Sequence, residues 1–223
     1  MTRTKSTRYT AAQDEPMIIQ SGKEFFTSCK GKWREEYFKN NNPIVLELAC
    51  GRGEYTVWLS QIYPERNFIG VDIKGERMMM GLKEWQENTW KDYPDTNVAF
   101  LRTIIHHIDQ FFEQGEVDEI WIIHPDPRSK GHDERRRITS PRFLSMYEKI
   151  LKTEWLLRLR TDDDGMFEYS TEQLKNHGFD SLESTRDLDN SSLAVDHHNI
   201  ETHYGKLFKA EGRTIKYGLW KKH

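Results

Sequence analysis

At 223 residues, with 36% hydrophobic, 12% aromatic and 31% charged side chains, the chain can build one large core that removes roughly 68–75% of its unfolded surface from water. A net charge of −3 argues against indiscriminate coating of nucleic acid. A mean hydropathy of −0.84, with no apolar run of bilayer length and no apolar stretch between Met1 and Arg8, argues against a membrane or secreted protein, so a cytoplasmic location is expected.

Residues 1–16 are polar and aperiodic and are predicted to be disordered as far as Pro16, leaving 17–223 as a single domain. Cys29 and Cys50 are too few for a disulfide framework and read as reduced, structural residues. Phe25, Phe26, Trp33, Tyr37 and Phe38 recur at roughly helical spacing and predict helices packed on a sheet that follows them. From there βα units alternate. Strands are predicted at 44–49, 67–72, 98–102, 118–124 and 154–161, with helices at 53–63, 75–91, 106–114, 140–151 and 166–177. The stretches 180–188 and 213–221 are expected to close the sheet as a pair of edge strands, giving an α/β fold with a mostly parallel sheet and helices on both faces.

The most telling segment joins the first of these strands to its helix. An apolar run from Ile44 breaks at Gly51 and Gly53, and Glu54 to Ser60 then has helical spacing. A strand, a glycine turn and a helix N-terminus form a cradle for a nucleotide-type ligand, because unpaired N–H groups there face an approach that no side chain blocks. Asp72 ends the next strand, 19 residues beyond Gly53, where a carboxylate can accept both ribose hydroxyls of an adenosine. Thr56 stands where a dinucleotide fingerprint needs its third glycine, and the Gly-Lys-Ser/Thr of a phosphate loop is absent. Glu47, within the strand, would repel a pyrophosphate but suits an ammonium and a sulfonium, so the pattern points to S-adenosylmethionine.

Two later strand ends carry acids. In His124-Pro-Asp-Pro127 two prolines stiffen the backbone around Asp126. Thr161-Asp-Asp-Asp164 offers Asp162 as a functional acid, with Asp163 and Asp164 read as a turn or helix cap; a sulfonium donor needs no metal. The pairs His106-His107 and His197-His198 lack ligand spacing and read as surface or helix residues, while the tryptophans at 85, 90, 121, 155 and 220 read as core. Residues 128–142 are locally basic through Arg128, Lys130, Arg135, Arg136, Arg137 and Arg142.

With these residues in view, the chain resembles the bacterial tRNA (guanine-N7)-methyltransferase family, in its Bacteroidetes-type branch, over residues 30–221. The resemblance runs through Gly31-Lys-Trp33, Asn42 to Thr56, Phe68 to Gly75, Gly115 to Trp121, Pro125-Asp-Pro127, Arg136 to Thr139 and Thr161-Asp162. It implies a Rossmann-like S-adenosylmethionine-dependent fold with a seven-stranded sheet, acting on a guanine of the tRNA variable loop, as a monomer or homodimer without membrane or metal. Residue by residue, it implies cofactor contacts at Glu47, Gly51, Gly53, Asp72 and Ile104, and a catalytic role for Asp126. Substrate contacts are implied at Lys130, Asp162 and the loop Thr202, His203, Tyr204 and Gly205, and Arg136 and Arg137 are read as grips on tRNA phosphates. Three positions depart from the family's pattern: Gly205 replaces a glutamate, Arg128 a tryptophan, and Ile104 an acid or amide. A methyltransferase for another substrate, or a noncatalytic donor- and RNA-binding module, would share the same cofactor residues.

Overall fold

The computed structural model describes residues 12–88, 97–197, 200 and 202–223, and for 86–88, 196 and 203 the backbone alone. Residues 1–11 of the segment expected to be disordered, the end of the 75–91 helix, Trp90 and His198 lie outside the described residues.

The strands are β1 (Ile18–Ile19), β2 (Ile44–Leu48), β3 (Asn67–Asp72), β4 (Val98–Arg102), β5 (Val117–Ile123), β6 (Leu151–Thr161), β7 (Phe179–Thr185) and β8 (Lys216–Lys222). They form one eight-stranded sheet in the order β1-β4-β3-β2-β5-β6-β8-β7, parallel from β1 to β6, with β8 antiparallel to both β6 and β7. The helices are α1 (Glu24–Ser28), α2 (Glu54–Ile62), α3 (Gly75–Asn88), α4 (Pro141–Tyr147), α5 (Asp164–Asn176) and α6 (His203–Ala210).

Five parallel strands fall at the predicted places, because β2 to β5 are buried on both faces and read as apolar runs; β6 starts three residues early, at Leu151, with Lys152 to Glu154 exposed before its buried part. Four differences have local causes. An eighth strand, β1, pairs with β4; two residues are too short to leave a periodic signal. β8 is not an edge: it inserts between β6 and β7, so its burial resembles that of a central strand. The helix expected over 106–114 is a 3₁₀ segment, Ile105–Gln110, because Phe111 and Phe112 must turn into the core beside Trp33. The helix expected over 140–151 stops at Tyr147, since β6 begins at Leu151 and bulges at Glu154, where φ is +61°.

The aromatic segment before the sheet forms α1 and a π-helical turn, Trp33–Phe38. Buried Glu116 pins it by accepting from the backbone N–H groups of Gly31, Trp33 and Glu113, while Trp33 Nε1 donates to the Phe111 carbonyl at 2.8 Å. Trp85, Trp121, Trp155 and Trp220 are buried, as are both free cysteines. Among the described residues no helix is long and apolar enough to cross a membrane.

Candidate functional site

The carboxyl ends of β2 to β6 lie side by side, and backbone strain collects there. Ala49 after β2, His124 after β5 and Arg128 just beyond it all adopt left-handed φ of +47° to +60° without being glycine. Such conformations cost free energy and persist where the surrounding fold imposes them, which makes them pointers to a functional edge.

The two glycines of the β2–α2 turn do different work. Gly51 has φ of +59° and open space where a side chain would stand, so its backbone is accessible. Its N–H donates to Asp72 Oδ2 at 2.9 Å, and Lys74 N–H donates to Oδ1 at 2.8 Å, which sets the β3 carboxylate squarely at the turn. Gly53, the N-cap of α2, has φ of +70°, and a Cβ there would fall 2.1 Å from the Phe100 ring. Its constraint comes from packing beneath the turn rather than from the open side.

Glu47 is turned inward. Its Oε2 accepts from Thr56 N–H at 2.7 Å and from the Thr56 hydroxyl, standing in for the cap that Gly53 lacks at the start of α2. Burial, only partly offset by those hydrogen bonds, pushes its carboxyl up to about 8.

A cleft of about 790 Å³ opens between the strand tips and the basic stretch. Its lining combines Ala49, Asp72, Ile73, Thr103 to His106, Pro125 and Asp126 from the strand ends with Arg128, Arg135, Arg136, Ile138, Arg142 and Phe143. Ile73 and Ile104 are half-exposed and add apolar surface to this lining. The fold thus brings Asp72, Ile104, Asp126 and Arg136 into one cavity, with Gly51 at its edge through Asp72. Of the expected site residues, Glu47, Gly51, Gly53, Lys130, Arg137, Asp162, Thr202, Tyr204 and Gly205 are not among the lining residues.

Asp126 is exposed; its Oδ1 accepts from Arg128 N–H at 3.1 Å and its Oδ2 lies 3.3 Å from Arg128 Nε. Arg137 faces inward, donating to the Pro127 carbonyl and lying 4.4 Å over the Tyr169 ring. Arg136 pairs with Asp133 at 3.0 Å, whereas Lys130, Arg135 and Arg142 have no carboxylate partner among the described residues.

A second cluster sits beyond Pro125. Asp162 lies 3.5 Å from His124 Nδ1 and 2.7 Å from Arg213 Nη1. Burial opposes its ionisation most strongly, but the His124 and Arg213 contacts outweigh it and hold the carboxyl below its ordinary range. Thr202 caps α6 by accepting from Gly205 N–H at 2.9 Å, and Tyr204 projects from that helix, exposed. Asp163 caps α5 through Met166 N–H, and Asp164 pairs with Lys216 and Arg186.

Sequence reasoning passed over Ile73, Thr103, Ile105, His106, Arg142 and Phe143 as site residues. The rule that ligands sit outside the carboxyl ends of parallel strands would have found the 103–106 stretch after β4. The approach of α4 leaves no such signal.

Comparison with known proteins bears on the same residues. A family model described as "Putative methyltransferase" matches residues 41–217. The tRNA (guanine-N(7)-)-methyltransferase of Bacteroides fragilis is 46% identical over 188 residues, 84% of this chain and 72% of the relative. The enzyme of that name from Cytophaga hutchinsonii is 36% identical and covers 97% of this chain and 96% of its own length. Among solved structures, the 16S rRNA methyltransferase KamB superposes with a TM-score of 0.62 at 12% identity, covering 84% of this chain and 91% of that one, which shows the shared Rossmann-like methyltransferase architecture. With family model, full-length relatives and fold in agreement, the chain belongs to the tRNA (guanine-N7)-methyltransferase family.

Proposed function

We propose that the chain transfers the methyl group of S-adenosylmethionine to N7 of a guanine in tRNA, in the variable loop, acting in the cytoplasm through one domain over residues 17–223. The observation that carries this reading is one cleft whose lining holds the Asp72 and Asp126 carboxylates together with Arg128, Arg135, Arg136 and Arg142, with the open Gly51 turn bonded to Asp72 at its edge. Both signs of charge meet in one cavity, as a cationic donor and a polyanionic acceptor require.

The residues fit the donor. Each Asp72 oxygen spends one lone pair on a backbone N–H and keeps another for ribose hydroxyls, and Ile73 and Ile104 supply apolar faces for an adenine. Glu47 acts on this end of the cleft only indirectly, by holding the turn through Thr56, since burial favours its neutral form. When bound, S-adenosylmethionine supplies an electrophilic methyl group on a sulfonium.

Guanine N7 has a lone pair and no proton, so no base is needed and orientation dominates. Asp126, exposed at the cleft, can accept the N1 and N2 hydrogens of the base and stabilise the positive charge that grows in the ring, whereas Asp162, held by His124 and Arg213, is not part of the cleft lining. Arg135 and Arg142, which line the cleft free of carboxylates, are the cations best placed to take phosphates; Arg136 can exchange Asp133 for one, and Lys130 lies next to the segment that carries Arg135 and Arg136. Arg137 supports this wall from behind.

Mass mapping of nucleosides from unmodified tRNA, incubated with protein and S-adenosylmethionine, tests the reading. New 7-methylguanosine in the variable loop, lost with Asp126→Ala, is expected. Absence of methyl transfer, or transfer to another nucleoside, overturns it.

A further inference from the structure

Arg160, near the end of β6, is only 4% exposed, yet among the described residues no carboxylate lies within ion-pair distance of it. Its Nη1 donates to the Tyr55 hydroxyl at 3.3 Å and the Ile200 carbonyl at 3.2 Å, and Nε has no partner. A guanidinium taken out of water without a counter-ion is costly, so such groups are ordinarily paired. Beside it, the His124 side chain is 5% exposed and neither ring nitrogen makes a hydrogen bond.

Both groups converge on Gly205. A Cβ built there would lie 3.1 Å from the Thr202 hydroxyl oxygen, and 3.9 Å from both Arg160 Nη2 and His124 Nε2. Two nitrogens equally close to one point can be bridged by a single carboxylate or phosphate. Gly205 itself belongs to the first turn of α6, whose positive dipole end adds to the attraction.

We propose that Arg160, His124 and the first turn of α6 form an oxyanion site at Gly205, and that the group it takes is a phosphate: a backbone phosphate of the RNA acceptor, or inorganic phosphate. The RNA source rests on the proposed function; the oxyanion site does not. Other charges around His124 are Asp162, 3.5 Å from its Nδ1, and Arg213, which neutralises Asp162 from the far side. With Asp162 favouring a proton on Nδ1, an anion at Nε2 requires the doubly protonated ring, so binding draws in a proton and strengthens as pH falls.

Thermal melts of the full chain in inorganic phosphate, against sodium chloride at matched ionic strength, provide the test. Wild type should show a saturable midpoint rise of roughly 2–4 °C, larger at pH 6 than at pH 8. Gly205→Glu places a carboxylate between the two nitrogens and should abolish the phosphate response. A response equal in wild type and Gly205→Glu, or no response in wild type, overturns the site. Should Gly205→Glu fail to fold, Arg160→Gln replaces it, with the same loss expected. A second arm measures KM for tRNA. Given methylation by wild type, a several-fold higher KM in Gly205→Glu assigns the site to RNA phosphate, and an unchanged KM refutes the RNA source and leaves inorganic phosphate. If wild type does not methylate tRNA, the functional proposal fails while the melts still decide the site.

Discussion

The same residue type does different work a few positions apart, and substitution separates the roles. Gly51→Ala meets open space and pays for left-handed backbone alone, about 1–2 kcal/mol, but puts a methyl group on the open side of the turn. Gly53→Ala pays that cost and collides with Phe100, adding about 1–3 kcal/mol. Urea unfolding should therefore rank Gly53→Ala as the less stable protein, while calorimetric titration should show the larger loss of donor affinity per unit of lost stability in Gly51→Ala. Asp126 offers a second contrast. Asp126→Asn keeps an oxygen to accept from Arg128 N–H and so preserves the turn, but it removes the charge facing the base. Its kcat/KM should fall roughly 10²-fold with the melting midpoint nearly unchanged; retained activity would move the catalytic role elsewhere.

Among elements, the basic segment Gly131–Arg136 and the start of α4 form the cationic wall, and its members are unequal. Arg137→Ala loses the stack on Tyr169 and the bond to Pro127, so it should lower stability and leave the salt dependence of tRNA binding almost unaltered. Arg135→Ala and Arg142→Ala, whose cations have no carboxylate to lose, should leave stability alone and each reduce the slope of log K against log salt by about 1. Equal slopes in all three variants would contradict this division. Composition made the wall legible, since six basic residues crowd 128–142. Which of them turns inward was not, because Tyr169 arrives from α5, 32 positions further along the chain.

For the whole molecule, buried Glu47 ties stability to pH. Its carboxyl is raised from 4.5 to about 8, so the folded protein holds a proton that the unfolded chain releases earlier. That contribution is fully present below pH 4.5 and disappears as pH rises through about 8. Melts of ligand-free wild type and Glu47→Gln should therefore diverge across this window, with wild type losing stability relative to the variant as pH increases. Parallel curves would mean that Glu47 is already ionised when folded.

Local chemistry was enough to place the parallel strands, the glycine turn and the acids Asp72, Asp126 and Asp162, because apolar runs and turn residues act over a few positions. The resemblance could be seen for the same reason: its segments are those turns and strand ends. Only the tertiary structure decided that β8 lies inside the sheet, that Glu47 caps α2 rather than facing the cleft, and that Arg137 braces the wall its neighbours form. It alone brought Arg160, His124 and Gly205 together from three distant stretches of chain. Spacing along a strand or helix reports which face a residue occupies; what meets that face depends on elements whose arrival no local pattern encodes.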